Sequence, residues 1–262
     1  MIDVDGAWAD AALRSTGLAE ASLLLSRVEA GGAAPLLAVR PNASLYPASM
    51  IKTPIAAALG ARWAAGSLSR DDRMPVEAAN LTANDAPSPL VEGYRARLDE
   101  LAELMLTRSD NVATNVLIDV LGRESITAFA REAGLPGTAV RCKVSGSLPL
   151  IEEPGTQGRN AHPPAEAARL FEAIALDRLP ESAWLRDLLA RQEWNGKLSG
   201  GLAPGDRFAH KTGDTDDVSH DGGILTTATG RRYVVVVYAP TPSPDGDDPR
   251  FAELMRALRA HL

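Results

Sequence analysis

The chain has 262 residues, 45% of them hydrophobic and 23% charged, and a formal net charge of −7. That length suits one large core or two closely joined lobes, and the acidity excludes nucleic acid and anionic membrane surfaces as principal partners. No run reaches the roughly 18 apolar residues of a membrane span, and the one cysteine, Cys142, reads as a small buried hydrophobe with no intrachain partner for a disulfide.

The opening Met1-Ile2-Asp3-Val4-Asp5-Gly6 has no basic region and no apolar core behind it. The chain as written is therefore expected in the cytoplasm, and a form already shorn of a leader would be expected in the periplasm or outside the cell. Residues 6–15 predict a short helix. Ser22 to Val28 and Leu36 to Arg40 predict strands, with Gly31-Gly32 as the turn between them.

From Ser49 the period becomes helical, with Ile51, Ile55, Leu59 and Trp63 one turn apart. Pro54 removes one hydrogen bond, to the Met50 carbonyl, so a loosened first turn is expected rather than a broken helix. Residues 65–95 look irregular. A helix with Leu98, Leu101 and Met105 on one face follows. Ser109 reads as the N-cap of the next, whose stripe is Val112, Val116 and Val120.

A third helix near 124–133 ends at Gly134. Residues 144–164 read as a long structured loop, and helix resumes over 165–174. Short strands are expected near 207–211 and 223–227. The unbroken apolar run Tyr233 to Tyr238 predicts a central buried strand, and Phe251 to Leu262 a terminal helix. The simplest arrangement is α+β: an antiparallel sheet built from both chain ends and flanked by the terminal helices, with a large all-helical insertion. That makes one unit over 1–262, with a mixed lobe of about 1–64 and 196–262 and a helical lobe of about 65–195.

Lysine is scarce: Lys52, Lys143, Lys197 and Lys211 stand against 23 arginines. Arginine stays protonated, whereas a desolvated lysine can give up its proton and act as a base. Two of the four lysines lie in short strings with other reactive side chains. These strings are Ser49-Met50-Ile51-Lys52, Ser109-Asp110-Asn111 and Lys211-Thr212-Gly213, in that order.

Ser49 and Lys52, three apart, share a helix face. A serine hydroxyl needs a neighbouring base, and lysine serves only with a lowered pKa, from burial or from a nearby cation such as Lys211. Ser109 can pass a proton to a leaving nitrogen, and Asn111 can donate to a substrate carbonyl. Lys211 and Thr212 can hold an anionic group. The backbone N–H groups of Ser49 and Asp214 can form an oxyanion hole. Each string alone is weak; their order and placement at a helix start, a helix cap and a strand make an acyl-transfer site the expectation.

S-x-x-K, S-D-N and K-T-G in this order resemble the serine β-lactamase and penicillin-binding superfamily, nearest its class A β-lactamase branch. The resemblance runs from about residue 20 to the end. It includes Leu104 to Asn115 and the Arg159-Asn160 stretch before Pro163-Pro164. It implies a β-lactamase-like fold and hydrolysis of a β-lactam amide through a Ser49 acyl-enzyme, with catalytic Ser49, Lys52, Ser109 and Lys211 and with substrate held by Asn111, Thr212 and Asp214. It calls for no cofactor and no metal, a small-molecule partner (β-lactam, peptide or ester), and a place in antibiotic resistance.

The sequence departs from that branch in two places. Class A enzymes carry E-x-x-L-N between the second and third motifs, and its glutamate activates the deacylating water. Residues 143–155 hold no such string, and Glu152 and Glu153 are the nearest deacylation-base candidates. Glu166, at a helix start, reads as a macrodipole partner instead. After K-T-G, Asp214, Asp216 and Asp217 crowd the place of a substrate carboxylate; they read either as solvated turn residues or as a bias toward neutral or cationic substrates. His210 and His220 read as core residues. The alternative is therefore a penicillin-binding-type peptidase or esterase on the same fold, with slow β-lactam deacylation. A one-time acylated sensor or a scaffold is a third reading.

Overall fold

The computed structural model describes residues 5–145, 158–242 and 247–262. Five strands form one antiparallel sheet: β1 (Ser22–Glu29), β2 (Gly32–Val39), β5 (Arg207–Asp214), β6 (Ser219–Thr226) and β7 (Arg232–Ala239), in the order β2-β1-β7-β6-β5. Both chain ends thus contribute, as the sequence predicts. Tyr233 to Tyr238 runs down the middle of the sheet. Val234, Val236 and Tyr238 face one apolar core and Tyr233, Val235 and Val237 the other. With both faces buried, no polar alternation survives in this strand.

The second face is covered by α1 (Gly6–Ser15) and α8 (Pro249–Arg259). Each begins on an aspartate cap: Asp5 accepts from the Trp8 N–H and Asp248 from the Arg250 N–H. The first face carries α6 (Pro164–Ala175) and the rest of the helical layer. That layer is α2 (Lys52–Ala64), α3 (Leu98–Thr107), α4 (Asn111–Leu121), α5 (Arg123–Glu132) and α7 (Ser182–Ala190). Most of these match the helical periods in the sequence. The predictions omit α7 and the small hairpin β3 (Arg73–Pro75) and β4 (Arg95–Arg97). None of the helices is long and apolar enough to cross a membrane, among the described residues.

Candidate active site

The three strings converge where the sheet edge meets the start of α2. A 3-10 helix over Ala48–Ile51 leads into α2, so Pro54 falls in the first α-helical turn. Its missing N–H is least costly there, which explains the loosened but continuous start. The approach is pinned from β6. The ring of His220 sits with Nε2 2.8 Å from the Tyr46 carbonyl and Nδ1 2.7 Å from its neighbour Ser219's carbonyl. Burial pushes this imidazole's pKa down to about 4, against the pull of those two acceptors. Tyr46 is covered by the Arg159 guanidinium, 4.0 Å from its ring centroid.

β5 is the edge strand, and its K-T-G end presses on the Ser49 backbone. A Cβ on Gly213 would stand 3.0 Å from the Ser49 nitrogen, so only glycine lets the strand approach this closely. Ser49 is half-buried. Its hydroxyl makes no hydrogen bond among the described residues.

Lys52, one turn on, is wholly buried. Its Nζ lies 2.5 Å from the Ser109 carbonyl, 2.7 Å from Asn111 Oδ1 and 3.1 Å from Ser109 Oγ. Burial first, then the charge of Lys211, holds the ammonium well below its ordinary pKa, while Asp110 and Asp85 pull the other way. The three contacts fit both protonation states. An ammonium donates to all three oxygens. A neutral amine donates to the carbonyl and the amide oxygen and accepts the Ser109 hydroxyl proton on its lone pair. Such a group can cycle a proton without leaving a buried polar atom unpaired.

The S-D-N string is arranged differently from the sequence expectation. Asp110, not Ser109, caps α4, accepting from the Ala113 N–H at 2.8 Å. Ser109 takes a left-handed backbone, φ 60°, which turns its hydroxyl toward Lys52 instead of along the helix. The Asn111 side chain faces Lys52 with its oxygen and donates one amide proton to the Ala83 carbonyl at 2.9 Å.

Lys211 is also fully buried, and its Nζ donates to the Thr212 carbonyl at 2.9 Å. Burial draws its pKa down to about 7; Asp214 and Asp221 support the charged form and Lys197 opposes it. Thr212 is buried beside it.

The aspartates after K-T-G separate into two kinds. Asp216 and Asp217 lie exposed in the turn, and the Asp217 N–H donates to Thr215 Oγ1. Asp214 instead turns onto a buried cation that the motif reading leaves out: Lys197 Nζ lies 2.6 and 2.7 Å from its two carboxylate oxygens. The three aspartates are therefore not one cluster of free carboxylates: Asp216 and Asp217 are exposed turn residues, and Asp214 is paired with Lys197. The signal that would have found Lys197 is its place among only four lysines.

His210 and His220 are both buried, in line with a core reading. Glu166 stands at the helix start as expected and does more there than face the helix dipole. It lies in the first turn of α6, but its carboxylate is buried and accepts from the Gly137 N–H at 2.8 Å and the Thr138 hydroxyl at 2.7 Å. It thus clamps the segment around Gly137 and Thr138 to α6 in addition to facing the helix dipole. Glu152 and Glu153 lie outside the described residues. Among the described residues, no group of three His, Cys, Asp or Glu side chains is arranged to hold a metal.

Known proteins match this architecture. A β-lactamase from Rhodobacter capsulatus is 42% identical over 89 residues, which are 34% of this chain and 30% of that protein; the match thus spans under a third of that relative. Among solved structures, PBP-A is 28% identical with a TM-score of 0.77, covering 92% of this chain and 88% of that one. The β-lactamase of Sphaerobacter thermophilus is 25% identical with a TM-score of 0.80, covering 98% of both chains. An acyl-enzyme complex of a PBP-A mutant with penicillin G is 26% identical with a TM-score of 0.79, covering 96% of both. The model of the beta-lactamase enzyme family matches residues 13–262. The chain belongs to that family.

Proposed function

We propose that the chain is a serine hydrolase that opens a β-lactam amide by forming an acyl-enzyme on Ser49. The observation that carries this reading is Lys52: a buried amine, one turn after Ser49, with its pKa held down and its contacts satisfied with or without the proton. The Ser109 hydroxyl releases the Lys52 lone pair and turns toward the leaving nitrogen, and the freed lone pair takes the Ser49 proton as Oγ bonds to the carbonyl carbon. The carbon–nitrogen bond then breaks, and Ser109 hands a proton to the leaving nitrogen, replenished from the Lys52 ammonium 3.1 Å away. The Ser49 and Asp214 N–H groups, brought close by Gly213, hold the oxyanion. Asn111 and Thr212 orient the substrate, and Lys211 supplies positive charge. Water completes hydrolysis of the ester. Family membership and the PBP-A and β-lactamase structures support the chemistry.

A second reading, a peptidase or esterase with slow β-lactam release, is favoured by one feature. The segment Lys143 to Gly155 holds no E-x-x-L-N string to activate water. One experiment separates the two: intact-protein mass against time after adding a chromogenic cephalosporin, with Ser49→Ala as control. A transient adduct with colour turnover supports hydrolysis. A lasting adduct supports the second reading. An adduct that persists in Ser49→Ala removes Ser49 from the mechanism.

A further inference from the structure

Three donors are all that an ammonium offers, and Lys197 spends them inside the protein. Two go to the Asp214 carboxylate oxygens at 2.6 and 2.7 Å and one to the His220 carbonyl at 3.2 Å. The Lys197 side chain has no exposed surface, whereas that of Asp214 is 28% exposed. The carboxylate therefore caps the cation on its solvent side.

The cation is also fixed from behind. The residue after it, Leu198, donates its N–H to Asp221 Oδ2 at 3.0 Å. Asp221 Oδ1 lies 2.8 Å from His210 Nδ1, and His210 Nε2 lies 3.0 Å from Ser199 Oγ and 3.2 Å from Asn195 Oδ1. Asp221 and His210 are wholly buried. The backbone around Lys197 is thus tied down from Asn195 to Ser199 by this hydrogen-bonded network, while Asp214 ends strand β5 at a turn. If either partner moves, it is the carboxylate.

Thr212 and Asp214 are two apart on an extended strand, so they share a side of it. Beside them, the Asp214–Lys197 pair offers a substrate no net charge. Farther out, Asp85, Asp216 and Asp217 are exposed, and their charge opposes an approaching anion.

We propose that Asp214 is a built-in occupant of the anion seat of this site. Its carboxylate covers Lys197, so the site selects amides and esters without a carboxylate on the leaving-group side. A substrate carboxylate must displace Asp214 from Lys197 and leave that aspartate unpaired, while a neutral substrate pays neither cost. This inference rests on Ser49 acylation and specifies its substrate class.

The test compares acylation rates of benzylpenicillin and its methyl ester by intact mass after rapid quench. The wild type is expected to acylate with the ester about tenfold or more faster than with the anion. Asp214→Ser keeps the backbone N–H at this position but uncovers Lys197, and is expected to raise the ratio of the anion's rate to the ester's by about tenfold or more, whatever it does to the two rates together. Adding Lys197→Met to Asp214→Ser is expected to cancel that gain, which a merely structural role for Asp214 would not produce. Wild-type rates that are equal, or that favour the anion, overturn the inference without any variant. So does a gain that survives the loss of Lys197. No Ser49-dependent adduct from either compound brings down the acyl-enzyme reading itself, and this inference with it.

Discussion

Gly213 lies against Ser49 so closely that a Cβ there would stand 3.0 Å from the Ser49 nitrogen, 3.1 Å from the Met50 nitrogen and 3.2 Å from Ala48 Cβ. Two of these three neighbours are backbone, in a segment already pinned through Tyr46, so the strand must give way instead. Gly213→Ala should displace the K-T-G end from Ser49 by a few tenths of an ångström. The expected result is a loss of acylation rate of about 10- to 100-fold, with a stability cost of only about 1–3 kcal/mol. Acylation kinetics and urea unfolding on the same sample check this. Unchanged acylation would mean that the contact has no bearing on the reaction.

Ser49 and Lys52 differ in what each removes. Ser49→Ala deletes the nucleophile and should lower turnover by at least about 10⁴-fold. Lys52→Ala deletes the base but leaves the hydroxyl and the oxyanion donors, with an expected loss of about 10²- to 10⁴-fold. It also leaves the Ser109 carbonyl and Asn111 oxygen without their shared donor, so stability should fall as well. Steady-state kinetics with circular dichroism as a folding check measures both. Normal turnover in Ser49→Ala would void the assignment.

Several features were legible because their cause is local. The apolar run of β7 and the period of α2 report burial directly, and the sheet topology follows from where they fall. What escaped depends on conformation or on distant partners. The strands β3 and β4 are three residues each, Arg-Met-Pro and Arg-Ala-Arg, too short for alternation to appear. Helix α7 has its apolar positions Leu185, Leu188 and Leu189, but it starts at Glu181 with φ 60° and no side-chain cap. The N-cap role expected of Ser109 falls to Asp110 because Ser109 itself is left-handed. The neutralisation of Asp214 needs Lys197, seventeen positions away, and no spacing rule joins them.

Ser109 carries a conformational cost for its position. A non-glycine residue at φ 60° sits in a region that costs on the order of 1 kcal/mol, and glycine enters it freely. Ser109→Gly should therefore leave the fold as stable as the wild type or more stable by up to about 1 kcal/mol, while turnover drops by about 10²-fold or more. Asp110→Ala, one residue on, should do the opposite to stability, losing about 1 kcal/mol with the N-cap. Thermal unfolding and turnover of both variants give the comparison. A Ser109→Gly protein that loses several kcal/mol would contradict the strain argument.

Lys211 makes a pH prediction. Burial brings it to about 7, so its positive charge is present below that pH and lost as pH rises through it. Acylation by a substrate that uses this charge should fall above about pH 7, up to tenfold per pH unit, while the neutral methyl ester should lack that limb. Lys211→Arg keeps the charge at all accessible pH and should remove the limb even if the overall rate is lower. A pH–rate profile from 5.5 to 9 decides it. A limb that stays in the arginine variant belongs to another group.

His162 predicts how the fold responds to acid. Its Nδ1 lies 2.8 Å from Thr138 Oγ1, and the Thr138 hydroxyl proton is donated to Glu166 at 2.7 Å. The ring must therefore donate from Nδ1, as a neutral imidazole can. Burial pushes its pKa from 6.5 down to about 3. Between those values the unfolded chain binds a proton that the native state does not, so stability falls as pH drops through this window. The loss is about 1.4 kcal/mol per pH unit once well below 6.5. From pH 7 to pH 5 this group alone should remove about 2 kcal/mol. His162→Asn keeps a donor toward Thr138 but cannot titrate. It should be less stable than the wild type at pH 7, yet lose about 2 kcal/mol less on going to pH 5. Urea unfolding of both proteins at the two pH values measures the difference, and equal losses would mean that the acid sensitivity comes from elsewhere, with His220 the next group to replace.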